Sequence, residues 1–284
     1  MRLTDALLPH LSGSRRGSVV ALVGAGGKTS ALFGLGEELA WTGRDVLLAT
    51  TTHIFDPRQE PGRVFDQVVL DEACPGASPW DQVPPRKDRG RRIVFAAREE
   101  RELGKLQGVE PRRIEELSLP ETFILVEADG ARGRSIKAPG PHEPAVPATT
   151  ALVLGLVGLD CLGQPMDGAT VHRPERFGPV AGCAPGEPIR PEHLAALARS
   201  PQGLFKGAPA GCARVLLLNK ADRCGLAPED LLDRLRAWGP VGADLVLVCS
   251  LRDPDPAKRV LARMELPEAA GIAHPSLGGT PTCP

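Results

Sequence analysis

Tyrosine is absent from this sequence of 284 residues, and all aromatic residues together make up only 4% of it. Proteins that bind single-stranded nucleic acid commonly stack bases on aromatic side chains, so this shortage argues against such a binding surface. A charge excess is also missing, because 34 lysines and arginines stand against 35 aspartates and glutamates. A chain so balanced has no overall field that would draw it to a polyanion. We therefore expect neither nucleic acid nor a membrane as a partner.

The seven cysteines are scattered without a C-x-x-C pair, and their odd number excludes a fully paired disulfide framework. No apolar run approaches the roughly 18 residues of a membrane helix. The first ten residues contain an acid and a proline, which a signal-peptide core would lack. We expect a soluble protein of the reducing cytoplasm. The composition leaves the oligomeric state open.

The clearest motif is a glycine-rich loop. It consists of Gly24, Ala25, Gly26, Gly27, Lys28, Thr29 and Ser30. The apolar run before it predicts a buried strand at 18–23, and leucines at helical spacing predict a helix at 29–41 that ends before Gly43. In a P-loop of this kind, backbone N–H groups bind phosphates, the lysine contacts the β- and γ-phosphates, and the threonine holds Mg²⁺.

The loop departs from the usual P-loop pattern in one respect. Leu22 stands where a glycine normally lies six residues before the lysine, so the motif is the shortened form G-x-x-G-K-T. The alternative to a P-loop is a glycine-rich turn with an incidental Gly-Lys-Thr. The strand before the loop and the helix after it favour nucleoside triphosphate binding.

Further runs of β-forming residues follow, and several are apolar throughout. They cover 45–49, 64–70, 92–96, 122–126, 151–157, 214–218 and 245–248. Uniform hydrophobicity is typical of strands that are covered on both faces. The sequence therefore predicts a P-loop NTPase-like α/β fold, with a mainly parallel sheet and helices on both faces.

Segments rich in proline, glycine and charge predict long loop insertions at about 56–91, 132–147 and 163–191. We predict a single P-loop domain at 18–265. An N-terminal segment, 1–17, precedes this domain, and a flexible tail follows it at 266–284.

Two acids follow the strand predicted at 122–126, namely Glu127 and Asp129. The carboxyl ends of parallel strands form the edge at which open α/β proteins bind ligands. Glu127 has a glycine three residues later, and Asp129 has one four residues later, so either acid fits the metal-binding position of a P-loop enzyme. We expect Asp129 to hold Mg²⁺ and Glu127 to position the attacking water. The reverse assignment, or a solvated turn residue at one position, stays open.

The element N-K-x-D appears as Asn219, Lys220 and Asp222, after an apolar strand. In GTPases the aspartate accepts hydrogen bonds from N1–H and the exocyclic amine of guanine, while the lysine stem packs on the base. Adenine has an acceptor at N1, so an aspartate there selects against it. The element favours GTP over ATP. An ordinary turn at the end of a strand is the alternative.

Other polar residues follow predicted strands or lie in the predicted loops. We interpret His53 as a candidate proton carrier and Arg132 as a candidate cation at the γ-phosphate. The polar residues of the two proline-rich loops could converge on an acidic substrate, namely Arg132, Arg134, Lys137, His142, Glu143, His172, Arg173 and Glu175. For each of these residues, a solvated position in a loop is the simpler alternative.

Several stretches together resemble the YqeC family: 20–29, 50–54, 126–131, 137–139 with 142–144, and 171–175. This family is described as accessory proteins of selenium-dependent hydroxylases, or as proteins of selenium cofactor biosynthesis. The resemblance implies a role in maturing selenium-dependent molybdenum hydroxylases, with such a hydroxylase or its cofactor as a partner. The E-x-x-G and N-K-x-D elements are also similar to those of GTPases that insert nickel or cobalt into metalloenzymes.

The leading interpretation is a Mg²⁺-dependent protein that binds GTP or ATP, hydrolyses it slowly and serves as a maturation factor. One alternative is a phosphoryl or nucleotidyl transferase, or a ligase, that acts on a small acid or a selenium donor. Another alternative is a module that docks on its partner in a nucleotide-dependent way without catalysis.

Overall fold

The computed structural model describes residues 1–11 and 18–266. The strands are β1 (Ser18–Gly24), β2 (Val46–Thr50), β3 (His53–Phe55), β4 (Gln67–Leu70), β5 (Arg92–Ala96), β6 (Arg98–Glu100), β7 (Lys105–Gln107), β8 (Phe123–Glu127), β9 (Ile136–Lys137), β10 (Thr150–Gly158), β11 (Val171–His172), β12 (Ala213–Asn219), β13 (Leu245–Cys249) and β14 (Val260–Glu265). The α-helices are α1 (Leu3–Leu7), α2 (Lys28–Trp41), α3 (Pro79–Gln82), α4 (Pro111–Glu116), α5 (Pro174–Ala181), α6 (Pro191–Arg199) and α7 (Pro228–Ala237). Short 3₁₀ helices lie at Leu8–Leu11, Pro57–Gln59, Asp71–Ala73, Arg101–Leu103, Leu159–Cys161, Ala221–Arg223 and Pro256–Lys258.

Nine strands form the main sheet, in the order β14-β13-β12-β10-β1-β8-β2-β5-β4. Every neighbouring pair is parallel except β13 with β14. The predicted mainly parallel α/β fold is therefore confirmed. Strand β1 lies near the centre, between β10 and β8, so the glycine loop and the acids that follow β8 lie at the same edge of the sheet.

The side chains of β1 alternate between two apolar layers. Val20 and Leu22 pack in a cluster with α1 and α2 on one face. Val19 and Ala21 point to the opposite face, where one cluster includes α3 and α4 and another includes α5, α6 and α7. Helices therefore cover both faces of the sheet, as predicted. This covering explains why the central strands are apolar throughout.

The segments predicted as loop insertions contain regular structure. The first includes α3 and the edge strand β4, the second includes β9, and the third includes β11 and α5. The prediction of an irregular third segment is wrong for α5, whose Phe177 is fully buried. Pro174 occupies the first turn of this helix, where a missing N–H costs no intrahelical bond, so proline does not signal a loop there.

Two smaller sheets lie outside the main one. Strands β3, β7 and β6 form an antiparallel sheet, and β9 pairs in parallel with β11. The second pairing joins two distant segments and sets Lys137 opposite His172. None of the helices in the described part of the chain has the length and hydrophobicity needed to cross a membrane.

The linker at 12–17 and most of the predicted tail, from 267 onward, lie outside the described residues. The flexibility of the tail and the bounds of the domain remain predictions.

Candidate functional site

The glycine loop is held in a shape that only glycine permits at its tightest point. Gly24, Gly26 and Gly27 all have positive φ angles, of 90°, 83° and 133°. A Cβ atom on Gly26 would overlap the backbone of Gly158 at the end of β10. Close approach between the loop and β10 therefore requires glycine at this position.

The first three N–H groups of the loop are engaged within the protein. Gly24 N donates to Asp129 Oδ2 (3.0 Å), Ala25 N to the carbonyl of Leu156 (2.9 Å), and Gly26 N to the carbonyl of Arg134 (3.1 Å). These three residues were expected to bind phosphate through their N–H groups. In this structure they instead anchor the loop to its surroundings.

The N–H groups from Gly27 to Ser30 lie at the start of α2. The first intrahelical bond runs from Ala31 N to Gly27 O (2.9 Å), and no side chain caps this end of the helix. The first N–H groups of a helix have no intrahelical acceptor, and the helix dipole favours an anion beside them. This second half of the loop is therefore the part with geometry suited to phosphate.

Lys28 is buried beneath the loop, with 4% of its surface exposed. Its Nζ donates to Gly24 O at 2.7 Å and lies 3.2 Å from Asp129 Oδ1 and 3.7 Å from Glu127 Oε1. Burial alone would lower the pKa of Lys28, but the two carboxylates raise it above its ordinary value. The ammonium group thus stays charged, and an arriving phosphate would compete with these carboxylates for it.

Three oxygen ligands suited to Mg²⁺ converge beside Lys28. Thr29 Oγ1 donates to Glu127 Oε2 at 2.9 Å, and burial raises the pKa of Glu127 against the opposing effect of Lys28. Asp129 Oδ1 is buried and accepts no hydrogen bond among the described residues, although the ammonium group of Lys28 lies 3.2 Å from it. Mg²⁺ prefers a few carboxylate or hydroxyl oxygens supplemented by phosphate and water. The residues present therefore fit this ion, and the structure brings together all three predicted metal residues.

A second buried lysine contacts Asp129 from the opposite side. Lys137 Nζ lies 3.0 Å from Asp129 Oδ2, 2.6 Å from Gly130 O and 2.7 Å from Glu143 Oε2. Lys137 and Glu143 were expected only as loop residues that could bind an acidic substrate, and nothing in the sequence spacing connects Lys137 to Asp129.

Glu143 extends this network to Arg173. The guanidinium of Arg173 donates to both carboxylate oxygens, at 2.6 and 3.0 Å. Although burial alone would raise it, Arg173 and Lys137 lower the pKa of Glu143 to about 2. An alternating chain of charges therefore runs from the glycine loop through Asp129, Lys137 and Glu143 to the start of α5.

Asn219 braces the glycine loop. Its Nδ2 donates to Gly26 O at 2.8 Å, and its Oδ1 accepts from Leu251 N at 3.1 Å. Both ends of this buried amide are thereby used inside the protein. Asn219 was expected to contact the base directly. In this structure its amide instead supports the glycine loop through these two backbone partners.

The other two members of the N-K-x-D element lie nearer the surface. Lys220 Nζ donates to Ser135 Oγ at 2.7 Å and to Asp160 Oδ2 at 2.8 Å, which directs its ammonium group toward the loop after β8. The side chain of Asp222 is 53% exposed and accepts from Ser250 Oγ at 2.8 Å. Asp222 is thus the member whose carboxylate is accessible to a base.

Of the remaining predicted residues, His53 lies apart from the ion network. It belongs to the small antiparallel sheet, is exposed, and has Nε2 3.3 Å from Glu100 Oε1. Strand β2 ends at Thr50, whose hydroxyl group donates to Glu127 O. The chain then turns, and His53 begins β3 in the small antiparallel sheet. No hydrogen bond or ion pair among the described residues joins His53 to the glycine loop. Its proposed proton-carrying role gains no support.

Arg132 lies on a turn that rests against the glycine loop. The turn is closed by Arg134 N donating to Ala131 O at 3.0 Å, and Arg134 O accepts from Gly26 N. Arg132 itself is exposed, with a positive φ of 47°. The structure thus puts its backbone beside the loop, and the contact of Arg132 with a phosphate remains a prediction.

The chain is similar to known proteins over the part that contains the glycine loop and the two acids after β8. The model of the YqeC protein family matches residues 20–175. The uncharacterized protein YqeC of Escherichia coli (strain K12) is 38% identical over 238 residues, covering 82% of this chain and 88% of that protein. The chain belongs to the YqeC family. No solved structure matches it.

The YqeC match includes the glycine loop, both acids after β8, and the ion network up to Arg173. It ends at residue 175, before the N-K-x-D element. The case for base recognition in this YqeC-family protein therefore depends on the geometry around Asp222 and on the sequence element itself.

A separate cluster lies beyond the residues that the family model matches, where ligand atoms of Cys183, Glu187 and His193 come within 4.8 Å of one another. His193 Nδ1 accepts from Arg190 N at 3.1 Å, so the proton of a neutral ring lies on Nε2, which faces Glu187. A ring in this tautomer has no free nitrogen lone pair for a metal. We therefore interpret the cluster as a structural contact before α6.

Replacing Gly26 by alanine should displace the loop, because the added methyl group would overlap Gly158 and the positive φ disfavours a side chain. We expect a loss of roughly 1–3 kcal/mol in the free energy of unfolding, measured with urea. Gly130→Ala is the matched control, since a Cβ there meets no atom within 4 Å. Equal urea midpoints for the two variants would contradict the close packing of the loop.

Replacing Glu143 by glutamine should destabilise the protein near neutral pH. The folded-state pKa of Glu143 is about 2, below its ordinary value of 4.5, so its charge stabilises the fold above the ordinary value. This stabilisation is lost as the pH falls through the folded pKa. The stability gap between wild type and Glu143→Gln should therefore shrink with falling pH in urea titrations. Exposed Glu102→Gln is the control, and a pH-independent gap for Glu143→Gln would refute the ion network.

Proposed function

We propose that this YqeC-family protein is a Mg²⁺-dependent P-loop nucleotide-binding protein that hydrolyses its nucleotide slowly and prefers GTP to ATP. One observation carries the proposal. The buried ammonium group of Lys28 lies between Gly24 O and two carboxylates, below the uncapped start of a helix of 14 residues. An uncapped helix start and a buried lysine are the two devices by which P-loop proteins bind phosphate.

In this proposal the triphosphate and Mg²⁺ replace contacts that the charged side chains of the site make with one another in this structure. The N–H groups from Gly27 to Ser30 donate to phosphate oxygens, and Lys28 exchanges its carboxylate contacts for the terminal phosphates. Thr29, Glu127 and Asp129 would hold Mg²⁺, which neutralises phosphate charge when bound. Lys137 keeps a countercharge on Asp129 after Lys28 has turned toward the nucleotide.

The residues around the metal also suit the hydrolytic step. Glu127 is buried with a raised pKa, which favours a carboxylate that can accept a proton from an attacking water. Arg132 lies on the turn against the glycine loop, where its guanidinium can approach the charge that develops on the γ-phosphate.

The guanine preference depends on Asp222. Its exposed carboxylate lies on the loop after β12, held by Ser250, while Asn219 ties that region to the glycine loop. A cavity of about 250 Å³ lies along α2 beside Ser30 and reaches Leu251 and Arg252 in the loop after β13. Neither Asp222 nor the residues 24–29 form part of its wall, so the proposed base recognition depends on the N-K-x-D element and on the exposure of Asp222.

The cellular role proposed is that of an accessory factor in the maturation of selenium-dependent molybdenum hydroxylases. Membership of the YqeC family supports it, together with the use of nucleotide hydrolysis by metal-insertion GTPases that have similar elements. Cells lacking this protein should make such a hydroxylase with reduced activity. Wild-type protein should restore that activity, and restoration by a variant that binds no nucleotide would contradict the proposal.

Lys28→Ala should weaken Mg-nucleotide binding by roughly 1.5–3 kcal/mol, because a charge-assisted contact to phosphate is lost. Isothermal titration calorimetry measures this, with Lys258→Ala as a control at an exposed lysine. Because Lys28 is buried and ion-paired, circular dichroism must first show that the variant is folded. Thr29→Ala provides a second variant that leaves the lysine in place. Unchanged affinity in both would refute a P-loop.

Wild-type protein should bind GTP at least about tenfold more tightly than ATP, a difference of roughly 1.4 kcal/mol. Asp222→Asn should shift the preference toward xanthosine triphosphate, because its C2 carbonyl accepts a hydrogen bond where the guanine amine donates one. Competition binding with the three nucleotides measures this. Exposed Asp233→Asn is the control. Equal affinity of the wild type for GTP and ATP would leave residues 219–222 as a structural turn.

A further inference from the structure

Two arginines beside the glycine loop have no carboxylate partner. Arg132 and Arg134 belong to the turn that accepts the N–H of Gly26, and both side chains are exposed. Within the described ranges 1–11 and 18–266, no ion pair or side-chain hydrogen bond is formed by either guanidinium. The turn follows the acids after β8 directly. Two free cations thus lie at the margin of the phosphate site.

The other cations of the site have partners. Lys28 and Lys137 share Asp129, while Arg173 is bound through both of its terminal nitrogens to Glu143. The internal charges are therefore balanced without Arg132 and Arg134. A cation without an internal partner, next to a site for a reacting phosphate, is available for an external anion.

His172 faces the same region from the neighbouring segment. Its strand pairs with β9, which sets His172 opposite Lys137 and directly before Arg173. The ring is half-buried, and its pKa is lowered by burial and by the charges of Arg173, Lys137 and Arg132, with Glu143 acting in the opposite direction. The imidazole is thus neutral near pH 7, although cations surround it.

We propose that Arg132, Arg134 and His172 line a second anion subsite beside the nucleotide phosphates, which binds a small oxyanion or carboxylate as second substrate. The inference rests on the proposed nucleotide site and gives it an anionic acceptor of the γ-phosphoryl group, with the slow hydrolysis as the reaction when water takes the place of that acceptor. An anionic oxygen of this acid attacks the γ-phosphorus and forms a new P–O bond. The bond to the β–γ bridging oxygen breaks, and its electron pair leaves with the nucleoside diphosphate. No proton is released, since the attacking oxygen is already ionised.

The decisive experiment is a titration of the full chain with inorganic phosphate, followed by NMR of labelled histidine rings, with Mg²⁺ and a non-hydrolysable GTP analogue saturating. Phosphate should shift the His172 ring signals saturably, because an anion there stabilises the protonated ring. Arg132→Ala should weaken this binding at least about tenfold. Arg112→Ala, at an exposed arginine on α4, should leave it unchanged. An absent or unsaturable shift overturns the subsite, as does an equal effect of both variants.

Other outcomes of the same titration distinguish a failure of the anion subsite from a failure of the nucleotide proposal. If phosphate shifts His172 with a bound diphosphate but not with the triphosphate analogue, the subsite is that of the γ-phosphate itself and the proposal of a second substrate is refuted. If the analogue fails to bind the wild-type protein but phosphate still shifts His172 there, the nucleotide proposal fails and the anion subsite stands. If the analogue binds and phosphate does not, only the subsite fails.

Discussion

One buried carboxylate organises this site. Asp129 receives the N–H of Gly24 and lies within ion-pair distance of both Lys28 and Lys137. Removing one member of a buried ion pair typically costs about 3–5 kcal/mol, because the other charge is left uncompensated. The loop before α2, the turn after β8 and the start of α5 are therefore not independent surface features. They are joined through Asp129 and the charges that balance it.

This dependence explains what the sequence could and could not predict. Residues 18–23, 92–96 and 245–248 were identifiable as strands because burial on both faces leaves a continuous apolar run. The contact of Lys137 with Asp129 was not identifiable, because it forms where β9 pairs with β11 across the 33 residues of chain that separate the two strands. Local pattern contains no information about such a pairing.

One prediction was wrong for a specific physical reason. Proline at position 174 was counted as a loop signal, although proline is favourable in the first turn of a helix and α5 begins there. The expectation that His53 lies at the site came from its position after β2; strand β3 begins at that residue, and the structure gives that expectation no support. The glycine loop itself was predictable as a motif. Which of its N–H groups are engaged internally depended on the carbonyl groups of Leu156 and Arg134, which no motif specifies.

The brace formed by Asn219 has a consequence for how variants of this protein should be interpreted. Its amide is hydrogen-bonded both to the loop before α2 and to the loop after β13, so a displacement of one loop affects the position of the other. A substitution at Asn219 would change both the phosphate-binding loop and the selectivity for the base, whereas a substitution at Asp222 would change only the selectivity for the base. A mutational scan scored only by growth would rank these two neighbours as equivalent. To distinguish the two substitutions, the stability of the fold and the selectivity between nucleotides must be measured separately.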